Sequence, residues 1–305
     1  MSVSIEMKNP QGVADKAVAY QIEAFRTFLE HVDVRGKTVL EIGSDFYLAV
    51  RSYLPKGLDR IGRKFAMESL EDYWALGFPN VEGWVDTRLV DSLRLIDITQ
   101  RSVGIAGQIG EIGVYHGKLL IALAHLADAG DKVTAIDVFE DQARNVDGAG
   151  VGNLEILKSN IHLYGPVNLN YEFIKADSIS MTSHDKLKLM DSRGPFRLFS
   201  VDGCHTAEHT CTDLLTAQDS LCPGGVLILD DFMQPHWPGV TEAVNLFYSR
   251  YVPRIKPFLY CFHKLFFVGY GWHDYFVRAC SNQLGSRPNA KLTEMFGIGV
   301  LSLYP

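Results

Sequence analysis

From residue 107 onward, short apolar runs alternate with segments of helical periodicity, and each of the first five runs ends in an acid. The runs at 108–113, 132–139, 170–176, 196–202 and 225–230 are predicted as strands. Those at 118–129, 154–164, 183–190, 207–221 and 239–250 carry apolar residues at helical spacing. Strands alternating with helices imply an α/β fold with a parallel sheet covered on both faces. Several boundaries have a mechanism. Gly165-Pro166 stops one helix, Pro223-Gly224-Gly225 turns another into the next strand, and Thr206 is placed to cap the helix after Asp202. Beyond residue 255 an aromatic strand (CFHKLFFVGY), a helix near 272–284 and a last strand (FGIGVLSLY) read as a pair that closes the sheet.

In a doubly wound sheet, ligands bind beyond the carboxyl ends of the strands, so the acids there matter most. The first strand ends in I-G-E-I-G-V-Y-H-G, residues 109–117, with Glu111, Gly113 and Gly117 in the turn. Glycines let the backbone approach a ligand, and the following helix presents free N–H groups. The second strand ends at Asp137, where an acid can accept hydrogen bonds from ribose hydroxyls. The third ends in Ala176-Asp177-Ser178, placed to reach an adenine edge, the fourth in V-D-G-C-H from Val201 to His205, and the fifth in Asp230-Asp231. Surface acids scatter, so their alignment is the strongest signal in the chain. The turn lacks G-x-G-x-x-G, and its glycines are too sparse to cradle a pyrophosphate, which favours an adenosine ligand without phosphates. A rival turn, K-T-V-L-E-I-G-S-D at 37–45, is not followed by a second acid-ended strand at the right distance.

Together, E-I-G-V-Y-H-G, I-D-V-F, A-D-S, V-D-G-C-H and P-G-G-V-L-I-L-D-D resemble the class I S-adenosylmethionine-dependent methyltransferases, nearest the macrocin-type sugar O-methyltransferases. The resemblance covers roughly residues 105–250. It implies a doubly wound, mostly parallel seven-stranded, Rossmann-like sheet. Glu111, Gly113, Tyr115, Gly117 and Asp202 would line the cofactor, with Asp137 on the ribose and Asp177 and Ser178 on the adenine. It also implies a magnesium ion on Asp202, Asp230 and Asp231, with His205 as general base beside Asp202. Magnesium prefers oxygen ligands and lowers the pKa of a coordinated hydroxyl, so a weak base then suffices. Asp230 departs from the glutamate common in that branch. Methyl transfer needs chiefly an in-line arrangement of donor and acceptor. The expected reaction is O-methylation of a small hydroxylated acceptor, a sugar or a glycosylated natural product.

A competing pattern is H-T-A-E-H at 205–209, which fits an H-x-x-E-H zinc hydrolase with His205 and His209 as ligands and Glu208 as base. A binding or scaffold protein that has kept the fold without turnover is a third reading. The formal charge of −7 argues against a nucleic-acid partner. Five cysteines with no C-x-x-C read as reduced and cytosolic, and MSVSIEMKNPQG shows no secretory signal. No apolar run approaches the ~20 residues of a spanning helix. Residues 1–104 are expected to form a mainly helical extension, with an amphipathic helix over 13–32, serving as a lid or an oligomerisation element. The methyltransferase domain would occupy 105–305, in a homo-oligomer. Tyr73, Trp74 and Trp84 are lid or packing candidates. The loop FEDQARNVDGAGVGN, after Val138, could close over the cofactor, and His236 and Trp237 could touch an acceptor.

Overall fold

The computed structural model describes residues 67–189 and 194–304, within a compact unit that begins at Met67. The helix expected over 13–32 and the acid–glycine turn at 37–45 lie outside the described residues.

All five acid-ended strands form: β1 (Gln108–Ile112), β2 (Lys132–Asp137), β3 (Asn170–Lys175), β4 (Phe196–Val201) and β5 (Leu221–Leu229). They run parallel in the order β3-β2-β1-β4-β5. Every residue of β1 and β4 is buried, as expected of central strands covered on both faces. Strand β5 begins earlier than expected. Leu221 already pairs with Phe196, and the register then shifts so that Val226 pairs with Leu198. The Pro223-Gly224-Gly225 turn is therefore a bulge inside the strand rather than its start.

The sheet has nine strands among the described residues, not seven, and continues as β5-β7-β6-β9-β8. The aromatic run CFHKLFFVGY is not one strand. It contains the turn between β6 (Ile255–Cys261) and β7 (Lys264–Gly269), with Phe262 and His263 both left-handed at φ 52° and 61°. Two-residue hairpin turns of this hand usually use Asn-Gly, so Phe-His gave no turn signal. Pro257 sits at a register shift in β6, and a proline inside a run also argues against a strand. Strand β8 (Ala290–Met295) pairs antiparallel with β9 (Ile298–Leu303) and is too polar and exposed to read as an apolar run.

Helix α1 (Leu89–Arg101) precedes the sheet. Together with Leu70, Tyr73, Phe78 and Val81, its Leu89, Leu93 and Ile96 join the hydrophobic core on one face of the sheet. Residues 67–104, assigned to the extension from sequence, thus share the core of the sheet. Tyr73 is buried with its hydroxyl donating to the Lys118 carbonyl at 2.8 Å, and Trp74 stacks on Phe78, so both are packing residues. The helices α2 (Lys118–Ala124), α3 (Leu154–Tyr164), α4 (Ser183–Lys188), α5 (Ala207–Ser220), α6 (Pro238–Arg250) and α7 (His273–Leu284) complete the layers. Helix α2 ends well short of residue 129, its last turn tightened by Leu126→Leu123 and Ala127→Ala124 backbone bonds. Thr206 caps α5, accepting from the His209 N–H. No described helix is long and apolar enough to cross a membrane.

Arg197, in β4, ties α1 to the sheet. It donates to Gln100 Oε1 at 2.8 Å, to Asp97 Oδ1 at 2.9 Å and to the Leu126 carbonyl, and it is 1% exposed. Arg197→Ala leaves Asp97 with Arg101 as its partner, but it orphans Gln100 Oε1 and opens a hole in the core. It is expected to cost about 2–4 kcal/mol of unfolding free energy, read from urea denaturation. A loss under about 1 kcal/mol would mean that the network is relaxed by solvent.

Candidate functional site

The carboxyl ends of β1, β2, β4 and β5 open into a cleft of about 960 Å³. It lies where strand order reverses between β1 and β4, the position at which open α/β sheets bind ligands. Glu111, Gly113, Tyr115, Asp137, Asp177, Ser178, Asp202, His205, Asp230 and Asp231 all line it. Gly117 does not. It starts α2 at φ 88°, and a Cβ there would lie 2.4 Å from Leu157 Cδ1, so its glycine serves helix packing.

The turn after β1 is built by contacts across the sheet. Gly113 has φ 79°, and a Cβ on it would fall 1.8 Å from the Asp202 carbonyl oxygen. Its absence lets the ends of β1 and β4 close on each other. Asp137 Oδ2 accepts from the Val114 and Tyr115 N–H groups at 2.7 and 2.9 Å, and Oδ1 accepts from Phe139 N–H at 2.6 Å. That carboxylate fixes the turn as well as facing the cleft. Glu111 is buried with Oε2 unpartnered. Burial pushes its carboxyl up to about 8, against the pull of the Lys264 charge. Asp177 caps the short turn at Ser178–Ser180, accepting from the Ile179 N–H.

On the other side of the cleft, His205 sits between two carboxylates. Its Nδ1 is 2.7 Å from Asp147 Oδ2, which also accepts the His205 N–H at 2.6 Å. Its Nε2 is 2.9 Å from Asp231 Oδ2 and 4.0 Å from Asp202 Oδ1. The ring stacks on Trp237, with centroids 4.2 Å apart. Burial opposes the charged imidazole, but the bonds to Asp147 and Asp231 outweigh it and raise His205 to about 9. Burial likewise opposes the Asp147 charge, and the His205 contacts hold that carboxyl far below its usual range. Asp231 is left-handed at φ 55°, its N–H bonded to Asp230 Oδ1 at 2.8 Å. Asp230 is itself buried in an ion pair with Lys264.

Asp147 and Lys264 were not among the residues expected from sequence. Asp147 lies in the loop after β2, which does border the cleft. A single lysine in the apolar run CFHKLFFVGY was the available signal for Lys264. Trp84 is 74% exposed at the cleft, 5.1 Å from the Tyr115 ring. His236 and Trp237 both line the cleft.

The H-T-A-E-H pattern does not assemble a zinc pair. His205 precedes the capping residue of α5 and faces Asp147 and Asp231, while His209 Nδ1 meets Thr206 Oγ1 at 2.7 Å. Among the described residues, the group able to hold a metal is Asp202, His205 and Asp231, with donor atoms within 4.8 Å of one another. The two carboxylates of that group suit a divalent cation that keeps water or an acceptor on its other positions.

Residues 111–232 match a family model described as a methyltransferase domain. That segment carries a methyltransferase domain. The mostly parallel, doubly wound sheet around it is Rossmann-like. No curated protein matches the chain. Solved structures to which it is similar include the O-methyltransferase NovP, at 16% identity over 61% of this chain and 81% of that one, with TM-score 0.49. Another is CalS11, described as a TDP-rhamnose 3′-O-methyltransferase of calicheamicin biosynthesis, at 16% identity over 66% and 92%, with TM-score 0.41. A third is an O-methyltransferase from Bacillus cereus, at 18% identity over 65% and 88%, with TM-score 0.42. Lys264 and Trp84 lie outside the matched segment, so the methyltransferase domain borrows parts of its cleft from both flanks.

Asp213, in α5 of the methyltransferase domain, is fully buried with both carboxylate oxygens unpartnered. Burial pushes it up to about 7. Its folded pKa exceeds the unfolded one, so the folded chain binds the extra proton between about pH 4 and 7 and stability falls across that window. Asp213→Asn is therefore expected to unfold at higher urea than the parent at pH 8, by up to about 4 kcal/mol, and to lose that advantage below pH 4. An equal gain at both pH values would rule out this linkage.

Proposed function

We propose that the chain transfers the methyl group of S-adenosylmethionine to a hydroxyl of a small molecule, a sugar or a glycosylated natural product, with the help of a divalent cation. The observation that carries the proposal is one cleft with two chemically different halves. One half, around Glu111, Gly113, Asp137, Asp177 and Ser178, offers acids and open backbone to an adenosine with an amino acid tail. The other brings Asp202, His205 and Asp231 together.

S-adenosylmethionine, when bound, supplies an electrophilic methyl group on a sulfonium. A divalent cation, when held by the carboxylates of Asp202 and Asp231, supplies orientation and acidification of the acceptor hydroxyl. The chain's own residues do the rest. Asp137 shapes the turn against which the donor rests, and Asp177 and Ser178 border the adenine end. In its neutral form, with Nε2 freed of the Asp231 contact, His205 takes the acceptor's proton on Nε2, and Asp147 fixes the ring by accepting from Nδ1. Trp84 and Trp237 give apolar faces on which a sugar ring can lie.

The scaffold reading predicts donor binding without turnover, so two measurements are needed. Calorimetric titration with S-adenosylmethionine, with and without magnesium, is expected to show binding in both. Absence of binding in either condition would sink the proposal. Methyl transfer to a panel of hydroxylated glycosides then separates enzyme from scaffold.

A further inference from the structure

The antiparallel register Leu229↔Leu265 between β5 and β7 places the residue after β5, Asp230, beside the first residue of β7, Lys264. The two meet as a buried ion pair, Lys264 Nζ on Asp230 Oδ2, with side chains 2% and 10% exposed. The other oxygen, Oδ1, accepts the Asp231 N–H at 2.8 Å. Both oxygens of Asp230 are thus engaged from inside the protein. Lys264 borders the cleft but is held inside it, with Leu265–Val268 of the same strand fully buried between β5 and β6. A second cation on Asp230 would sit next to that ammonium and be repelled with little water to screen it.

Asp202 and Asp231 differ from Asp230. Their side chains keep 27% and 21% exposure, toward the cleft, and their oxygens group with His205 whereas those of Asp230 do not. We propose that Lys264 is a resident cation that takes Asp230 out of the ligand set, leaving Asp202 and Asp231 as the carboxylates that hold the divalent ion. This rests on the metal-assisted function proposed above. Asp230 then acts as a positioning residue. Through its Oδ1 it fixes the left-handed backbone of Asp231, and with it the direction of the Asp231 carboxylate.

The test is calorimetric titration of the full chain with manganese, run beside a titration of the same samples with S-adenosylmethionine. Asp230→Asn/Lys264→Met removes both charges together and keeps an oxygen for the Asp231 N–H, so no buried charge is stranded. Its manganese affinity is expected to stay within about threefold of the parent, whereas Asp231→Asn loses about tenfold or more. If the first pair does not fold, Asp230→Asn/Lys264→Gln takes its place. A loss of about tenfold or more in the double variant, with manganese bound normally by the parent, overturns the role of Lys264 alone. A parent that binds S-adenosylmethionine but no manganese overturns the metal part of the function, and this inference with it.

Discussion

Gly113→Ala is expected to leave the chain without a cooperative unfolding transition, or with one moved to far lower urea. The added Cβ would lie 1.8 Å from the Asp202 carbonyl oxygen and 2.2 Å from its carbon, both backbone atoms that no rotamer change can move. The φ of 79° adds a left-handed penalty of about 1–2 kcal/mol for a residue with a side chain. Relief requires the ends of β1 and β4 to separate, which breaks the Asp202 N–H bond to the Ile112 carbonyl at 2.8 Å. Ordinary domains have about 5–15 kcal/mol in total, so the loss of this closure is a large share. Far-UV circular dichroism against urea checks it. A midpoint shift worth less than about 1 kcal/mol would show that the crossing is not tight. If some folded protein survives, its affinity for S-adenosylmethionine should fall with the displaced Asp202.

His205→Ala should lower kcat for methyl transfer by about 10²–10⁴-fold, the usual range for a general base, with donor affinity unchanged. The residue is held at both ring nitrogens, by Asp147 and Asp231, and backed by Trp237, so it is oriented rather than free. The rate would be measured on a hydroxylated glycoside that the parent methylates, under single-turnover conditions so that product release does not mask the chemistry. Asp147→Asn should lower kcat less, because the imidazole keeps its place on Trp237 but loses a charged partner. A rate for His205→Ala within about threefold of the parent would remove the imidazole from the chemistry.

The sheet and most of the cleft were legible because buried parallel strands write themselves as unbroken apolar runs, against which a terminal acid stands out. That is why the ends of all five strands fell near their expected places and why Glu111, Asp137, Asp177, Asp202 and Asp231 converge on one cleft. Residues that act through tertiary contact left no such trace. Asp147 meets His205 across 58 positions, from a glycine-containing loop in which an acid looks like any solvated one. Lys264 is a single charge whose partner is fixed by a hairpin turned on Phe262 and His263, a pair with no turn signature. Local patterns misled in the other direction too. Gly117 sits in a turn that reads as ligand-lining but packs on Leu157, and H-T-A-E-H has the letters of a zinc helix although its first histidine stands before the helix begins.

The β6–β7 hairpin has a consequence for anyone who would transplant this catalytic module. The segment that carries the family pattern stops at residue 232, before both β6 and β7, the strand that covers β5. Cut there, β5 becomes a bare apolar edge open to pairing with other chains, and Asp230 is left as an uncompensated charge. A graft that keeps the chemistry must carry the chain at least through Gly269, the end of β7. The smallest transferable unit is therefore set by where the buried charge finds its partner rather than by where the family resemblance ends.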